Sequence, residues 1–200
     1  IKYTTQVQKE LEHRLAEYNL KPYYRPVAEL DAGELNTKQA QISGCVADYD
    51  AWAGKKNSAI QLAVSNKRYA GGHVHFGVPF ANNPVVISRF IRYLDYTMGA
   101  GLIVKFGTSE RFNAYGRWGA YRPTPYGVEY RTPDNMWLTS EATMGWVYDI
   151  GRHVANKFII NPESDAAYPK EFLDDAVAKG NYSRLAQLAN HHIDLTRLRV

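Results

Sequence analysis

The chain holds a single cysteine, Cys45, so no disulfide can form within it. A reducing compartment is the simpler expectation, and no basic residue lies near Cys45 in sequence to activate it as a nucleophile. No apolar run approaches the length of a membrane span, and no signal peptide is visible. No repeat, low-complexity tract or second domain interrupts the sequence. The excess of one charge sign over the other is also small. The net charge is +4, and Lys55-Lys56, Lys67-Arg68, Arg197 and Arg199 are scattered. That falls short of a nucleic-acid footprint, though a pocket for nucleotide phosphates needs only a few local cations.

What is present is an aromatic-rich chain of 200 residues, with 15 tyrosines and 4 tryptophans. One domain over residues 1–200 is expected, its C-terminal helices from 169 onward peripheral. Thr5 to Tyr18 reads as a helix docked through Val7, Leu11, Leu15 and Tyr18. Pro22 to Pro26 breaks it, and Leu35 to Ile42 suits a short helix. Gly44 to Gly54 is a Gly-bounded loop carrying Asp48, Asp50 and Trp52. Such a loop is either plain surface or a lip over a site. Ala59 to Val64 reads as a strand. Pro84 to Met98 reads as a helix with an apolar stripe and proline in its first turn. Leu102 to Phe106 fits either more helix or a buried strand. A long helix is expected from Thr139 or Ser140 to Phe158, and shorter ones over Pro169–Lys179 and Tyr182–Asn190. His191-His192 reads as part of a surface tail.

Three stretches carry residue types suited to chemistry. Gly71-Gly72-His73-Val74-His75 places two histidines two apart, on one face of a strand. Imidazoles at that spacing suit a metal or phosphate. Gly107 to Gly116 is a polar loop with Arg111 and Tyr115. Gly116 to Trp137 then packs Arg117, Arg122, Glu129 and Arg131 into a hairpin-like, Gly/Pro-punctuated segment. Alternation along a strand puts Glu129 and Arg131 on one face and Val128 and Tyr130 on the other. A guanidinium fork matches a carboxylate or phosphate bidentately.

The order Gly-Gly-His-x-His-x-Gly, then Arg-x4-Gly-x5-Arg-Pro, then Gly-x-Glu-x-Arg-x-Pro-Asp resembles the glutamine synthetase and glutamate–cysteine ligase superfamily. Within it the chain is most similar to the phage-encoded carboxylate–amine ligases of the phiEco32-like type, whose Gly-Cys-x-x-Asp-Tyr-x-Ala-Trp loop is matched by Gly44 to Trp52. The likeness spans about Leu35 to Phe158.

The resemblance implies an α+β catalytic domain: a curved antiparallel sheet presenting His73, His75, Glu129 and Arg131, with helices on its other face. It implies an ATP-dependent ligase that phosphorylates a substrate carboxylate and lets an amine attack the acyl phosphate, with Mg²⁺ or Mn²⁺ assisting. By match, His73 and Glu129 are expected to hold the metal. His75, Arg117 and Arg122 are expected to meet the nucleotide phosphates. Arg131, with Arg111 as a further candidate, is expected to bind the substrate carboxylate, and Arg122 and Arg131 to act in catalysis. Carboxylate and amine substrates, small molecules or peptides, and a homo-oligomer are expected partners, in a host cytoplasm. One departure stands out. The family's early strand with paired acidic residues has no match before His73, and the chain begins at Ile1. The N-terminal strands are therefore expected to be absent, or supplied by a partner chain. The alternative is a catalytically inactive relative with a structural or binding role, such as a virion component.

Overall fold

A computed structural model describes residues 2–41, 48–58, 66–162 and 169–193. The expected strand over Ala59–Val64, Cys45 and the last seven residues lie outside these. Five strands form the main sheet: β2 (Tyr49–Asp50), β3 (Lys55–Lys56), β5 (Val74–Gly77), β6 (Ala120–Thr124) and β7 (Gly127–Tyr130). Their order is β3-β2-β6-β7-β5, and every pairing is antiparallel. A separate pair joins β1 (Val27–Glu29) to β4 (Lys67–Tyr69).

The sheet's register fixes which side chains share a face. Arg122, Glu129 and His75 stand opposite one another across β6, β7 and β5. They form a row on the polar face. One residue along, Val128 and Phe76 point the other way, as strand alternation requires, into the core.

Helices cover that second face. α3 (Pro84–Leu94) begins at Asn83, whose side chain caps Val86 N–H, with Pro84 in the first turn. Its stripe of Ile87, Phe90, Ile91 and Leu94 is buried. The chain then makes one wide turn with π-helical bonding over Asp95–Gly99 and continues as α4 (Ala100–Phe106). The ambiguous apolar run Leu102–Phe106 is thus helix. α6 (Glu141–Ile160) starts at Ser140, whose hydroxyl accepts from Thr143 N–H, and buries Trp146, Val147, Ile150, Val154 and Phe158. Phe76 meets Phe90 edge-on at 5.2 Å between ring centres, joining sheet to helices. Ahead of α6 lies α5 (Glu110–Ala114), and after it α7 (Lys170–Ala178) and α8 (Tyr182–His192) pack as a pair. This α+β arrangement, with helices on one face of an antiparallel sheet, is the fold class the motifs implied.

The first helix departs from expectation. α1 (Lys2–Ala16) buries none of its residues, and Val7 and Leu11 are exposed. Its attachment is polar: Gln8 Nε2 donates to the Leu138 carbonyl and the Tyr24 hydroxyl. Helical spacing shows that an apolar stripe exists, not that anything covers it. The remaining short helix, α2 (Lys38–Gln41), falls inside the expected Leu35–Ile42.

Gly99 lies in the wide turn against β7. A Cβ there would collide with the Tyr130 hydroxyl and press on Trp118. Both neighbours are fully buried. Gly99→Ala is therefore expected to cost about 1–3 kcal/mol, as overpacking of a tight core does. Thermal unfolding of the variant beside the wild type checks this.

Candidate functional site

The polar face of β7 carries the site. Glu129 is buried to 1% exposure, and both of its carboxylate oxygens are engaged. Oε1 accepts from Arg131 Nη1 at 2.7 Å and from His73 Nδ1 at 2.6 Å. Oε2 accepts from Arg122 Nε at 2.7 Å and Nη2 at 2.5 Å. Arg131, fully buried, also donates Nε to Asp48 Oδ2 at 3.2 Å and Nη2 to the Tyr115 hydroxyl.

These contacts close a ring. Arg131 donates to Tyr115, and Tyr115 O–H lies 2.8 Å from His73 Nε2. His73 Nδ1–H donates to Glu129, which accepts from Arg131. Proton bookkeeping around the ring makes His73 neutral, with its proton on Nδ1. The electrostatics agree. Burial foremost, then the Arg131 charge, pushes the His73 pKa down to about 4. Burial pushes the Glu129 carboxyl up, but Arg131, His73 and Arg122 together outweigh it and hold it below its usual range.

Local sequence explains the geometry. Gly71 leaves room for the His73 ring, where a Cβ would collide with Nε2. Gly72 lies against the Asp134 carbonyl, donates its N–H to Pro133, and accepts from Trp137 Nε1 at 2.8 Å. The Gly-Gly-His stretch is thereby clasped to the Pro133-Asp134 end of the hairpin.

The sequence-derived candidates separate. His73, Glu129, Arg131 and Arg122 converge in one network. His75 shares the row with Glu129 but is exposed, its Nδ1 lying 2.9 Å from the Tyr126 hydroxyl. Arg111 is buried behind the ring, donating Nη1 to the Thr132 carbonyl and Nη2 to the Arg131 carbonyl, with its charge 4.7 Å from the Tyr115 ring centre. It braces the strand end. Arg117 is exposed and outside the network; the turn at Gly119, where φ is +80°, separates it from Arg122. Asp48 and Tyr115 are members that motif matching did not assign to the cluster. The one signal for Asp48 was its place in the acidic, Trp-bearing loop.

A divalent metal finds no seat here among the described residues. No group of three or more His, Cys, Asp or Glu residues could hold one. His73 uses both ring nitrogens within the ring, and both Glu129 oxygens face guanidinium groups. The donor set fits anions better. Arg122, with 39% of its side chain exposed, and exposed His75 flank Glu129 from the two neighbouring strands, while Arg131 is buried.

No helix of the described residues is long and apolar enough to cross a membrane. Neither a curated protein nor a solved structure matches the chain. A family model does, across residues 24–198, and with its Gly-Gly-His and Glu-x-Arg strands side by side the chain belongs to the phage phiEco32-like COOH.NH2 ligase-type 2 family.

Proposed function

We propose that the protein joins a carboxylate to an amine at the expense of ATP. The γ-phosphoryl group passes to the substrate carboxylate, giving an acyl phosphate and ADP. The amine nitrogen then attacks the acyl carbon, phosphate leaves, and the nitrogen loses a proton as the amide forms. The observation that carries this reading is the row of Arg122, Glu129 and His75 in a member of a carboxylate–amine ligase family. Arg122 and His75 supply donors to an anionic oxygen at the open face. Glu129, itself held by Arg131, fixes the Arg122 guanidinium from behind.

The test is ADP release by the whole protein over a panel of amino acids, amines and peptides, with Mg²⁺ or Mn²⁺ titrated. Release is expected only when carboxylate and amine are both present. Arg122→Ala is expected to lower it by about 10²–10³-fold, as loss of one charge-stabilising donor does; because Glu129 Oε2 also loses both of its donors, the variant's fold is checked by circular dichroism and thermal unfolding. Wild type and Arg122→Ala performing alike throughout would overturn the reading.

The closed ring supports a second reading, an inactive relative with a structural or binding role, for instance in a virion. Calorimetry with ATP and Mn²⁺ separates the two. Metal-dependent nucleotide binding lost in His75→Ala would sink the purely structural reading.

A further inference from the structure

Asp95 opens the wide helical turn and is buried without a cationic partner among its hydrogen bonds. Its Oδ2 accepts from Trp52 Nε1 at 2.7 Å. Its Oδ1 lies 2.8 Å from the Tyr130 hydroxyl and 3.3 Å from Thr132 Oγ1. The Gly119 N–H also reaches it. Asp95 touches none of the ring residues, yet every partner borders one. Tyr130 and Thr132 flank Arg131. Gly119 precedes Ala120, whose carbonyl accepts Arg131 N–H at 2.9 Å. Trp52 lies in the turn that delivers Asp48.

That turn is otherwise built from within. Asp50 Oδ1 accepts from Trp52 N–H at 2.8 Å and Ala53 N–H at 3.0 Å, and Asn57 Nδ2 donates to Asp48 Oδ1 at 2.8 Å. The Trp52 indole reaches the helix layer, edge-on to Tyr96 and hydrogen-bonded to Asp95. A carboxyl group suits this convergence: it accepts on both oxygens when ionised, and when protonated it can give its one proton to Thr132 Oγ1, whose own hydrogen goes to the Arg117 carbonyl.

We infer that Asp95 is a positioning residue of the ring: by gripping Trp52 on one oxygen and Tyr130 with Thr132 on the other, it sets where Asp48 meets Arg131. The functional weight of this inference rests on the ligase reading; the geometric claim does not.

The test therefore needs no substrate. Arg131 Nε–H, assigned by its loss in Arg131→Lys, is followed by ¹⁵N-resolved NMR hydrogen exchange. The variants are Asp95→Asn and, since that change can prevent folding, Trp52→Phe, which keeps one aromatic ring and removes the indole donor. Backbone amides of Phe90 and Ile91, deep in α3, report global opening. Arg131 Nε–H exchange is expected to rise about tenfold or more in Trp52→Phe, the equivalent of one lost hydrogen bond of about 1.4 kcal/mol, with its chemical shift displaced. The Phe90 and Ile91 amides are expected to stay put. An unmoved Arg131 signal would overturn the inference. So would equal acceleration of all three, which would mean only general loosening. A failed ADP-release assay leaves this result untouched, so the two readings fail separately.

Discussion

Glu129→Ala is expected to cost about 3–5 kcal/mol of folding stability, the penalty for stranding a buried charge. The carboxylate is the one group that faces Arg131, Arg122 and His73 together. Without it Arg131, sealed from solvent, keeps Asp48 as its anionic partner at 3.2 Å. Arg122 can turn to water, because part of its side chain is exposed; Arg131 cannot. Glu129→Gln is expected to recover little. Each carboxylate oxygen takes two N–H donors, so the amide nitrogen would face donors in either orientation. The check is urea unfolding of both variants and of Glu129→Ala combined with Arg131→Met. Removing the cation along with its partner is expected to restore part of the loss, giving a coupling above about 2 kcal/mol, because the buried guanidinium no longer lacks one of its two carboxylates, while Asp48 keeps the Asn57 amide. A single-variant loss under about 1 kcal/mol would mean that the ring is solvated in solution.

The alternation Val128-Glu129-Tyr130-Arg131 was legible because strand geometry sends neighbours to opposite faces whatever the rest of the fold does. Helices over Pro84–Leu94 and Glu141–Ile160 were legible for a similar reason: their period, caps and proline are local. The ring was half legible. Glu129 and Arg131 are two apart, but Asp48 reaches Arg131 across 83 positions, and nothing local encodes that meeting. The family match grouped Arg117 with Arg122, whereas strand β6 begins only at Ala120 and leaves Arg117 off the row. Asp95 was missed for a different reason. It stands on the buried stripe of a helix, between Leu94 and Met98, where a charge looks like an intrusion in an apolar run. A polar residue at a core position of the helical period was the available signal, and the wide turn there, a feature often found near functional sites, is its structural counterpart.

The pH dependence of stability offers the largest effect away from the ring. Burial drives the Asp95 pKa up to about 7 from an ordinary 3.8, against the lowering influence of its hydrogen bonds from Trp52, Tyr130, Gly119 and Thr132. The hydrogen bonds accommodate a protonated Asp95: Thr132 Oγ1–H donates to the Arg117 carbonyl at 3.0 Å, leaving that oxygen able to accept from Asp95. Tyr130, the titratable group bonded to Asp95, is itself pushed further above its ordinary value by burial and stays protonated throughout. Between pH 3.8 and about 7 the unfolded chain has lost the Asp95 proton while the folded chain keeps it. Folding therefore binds a proton there, and stability falls as pH rises, by about 1.4 kcal/mol per unit at most. Summed over the window, the loss is on the order of 4 kcal/mol, or roughly 10 °C in melting temperature for a domain of this size. His73 and Glu129, whose values are lowered, pull the opposite way at acid pH. Their effect is common to the wild type and Asp95→Asn, so the difference between the two proteins isolates Asp95. That difference in melting temperature is expected to widen in favour of the wild type as the buffer is taken from pH 7.5 to pH 5. A constant difference across the range would mean that Asp95 is ionised in the fold, held as an anion by its four donors alone.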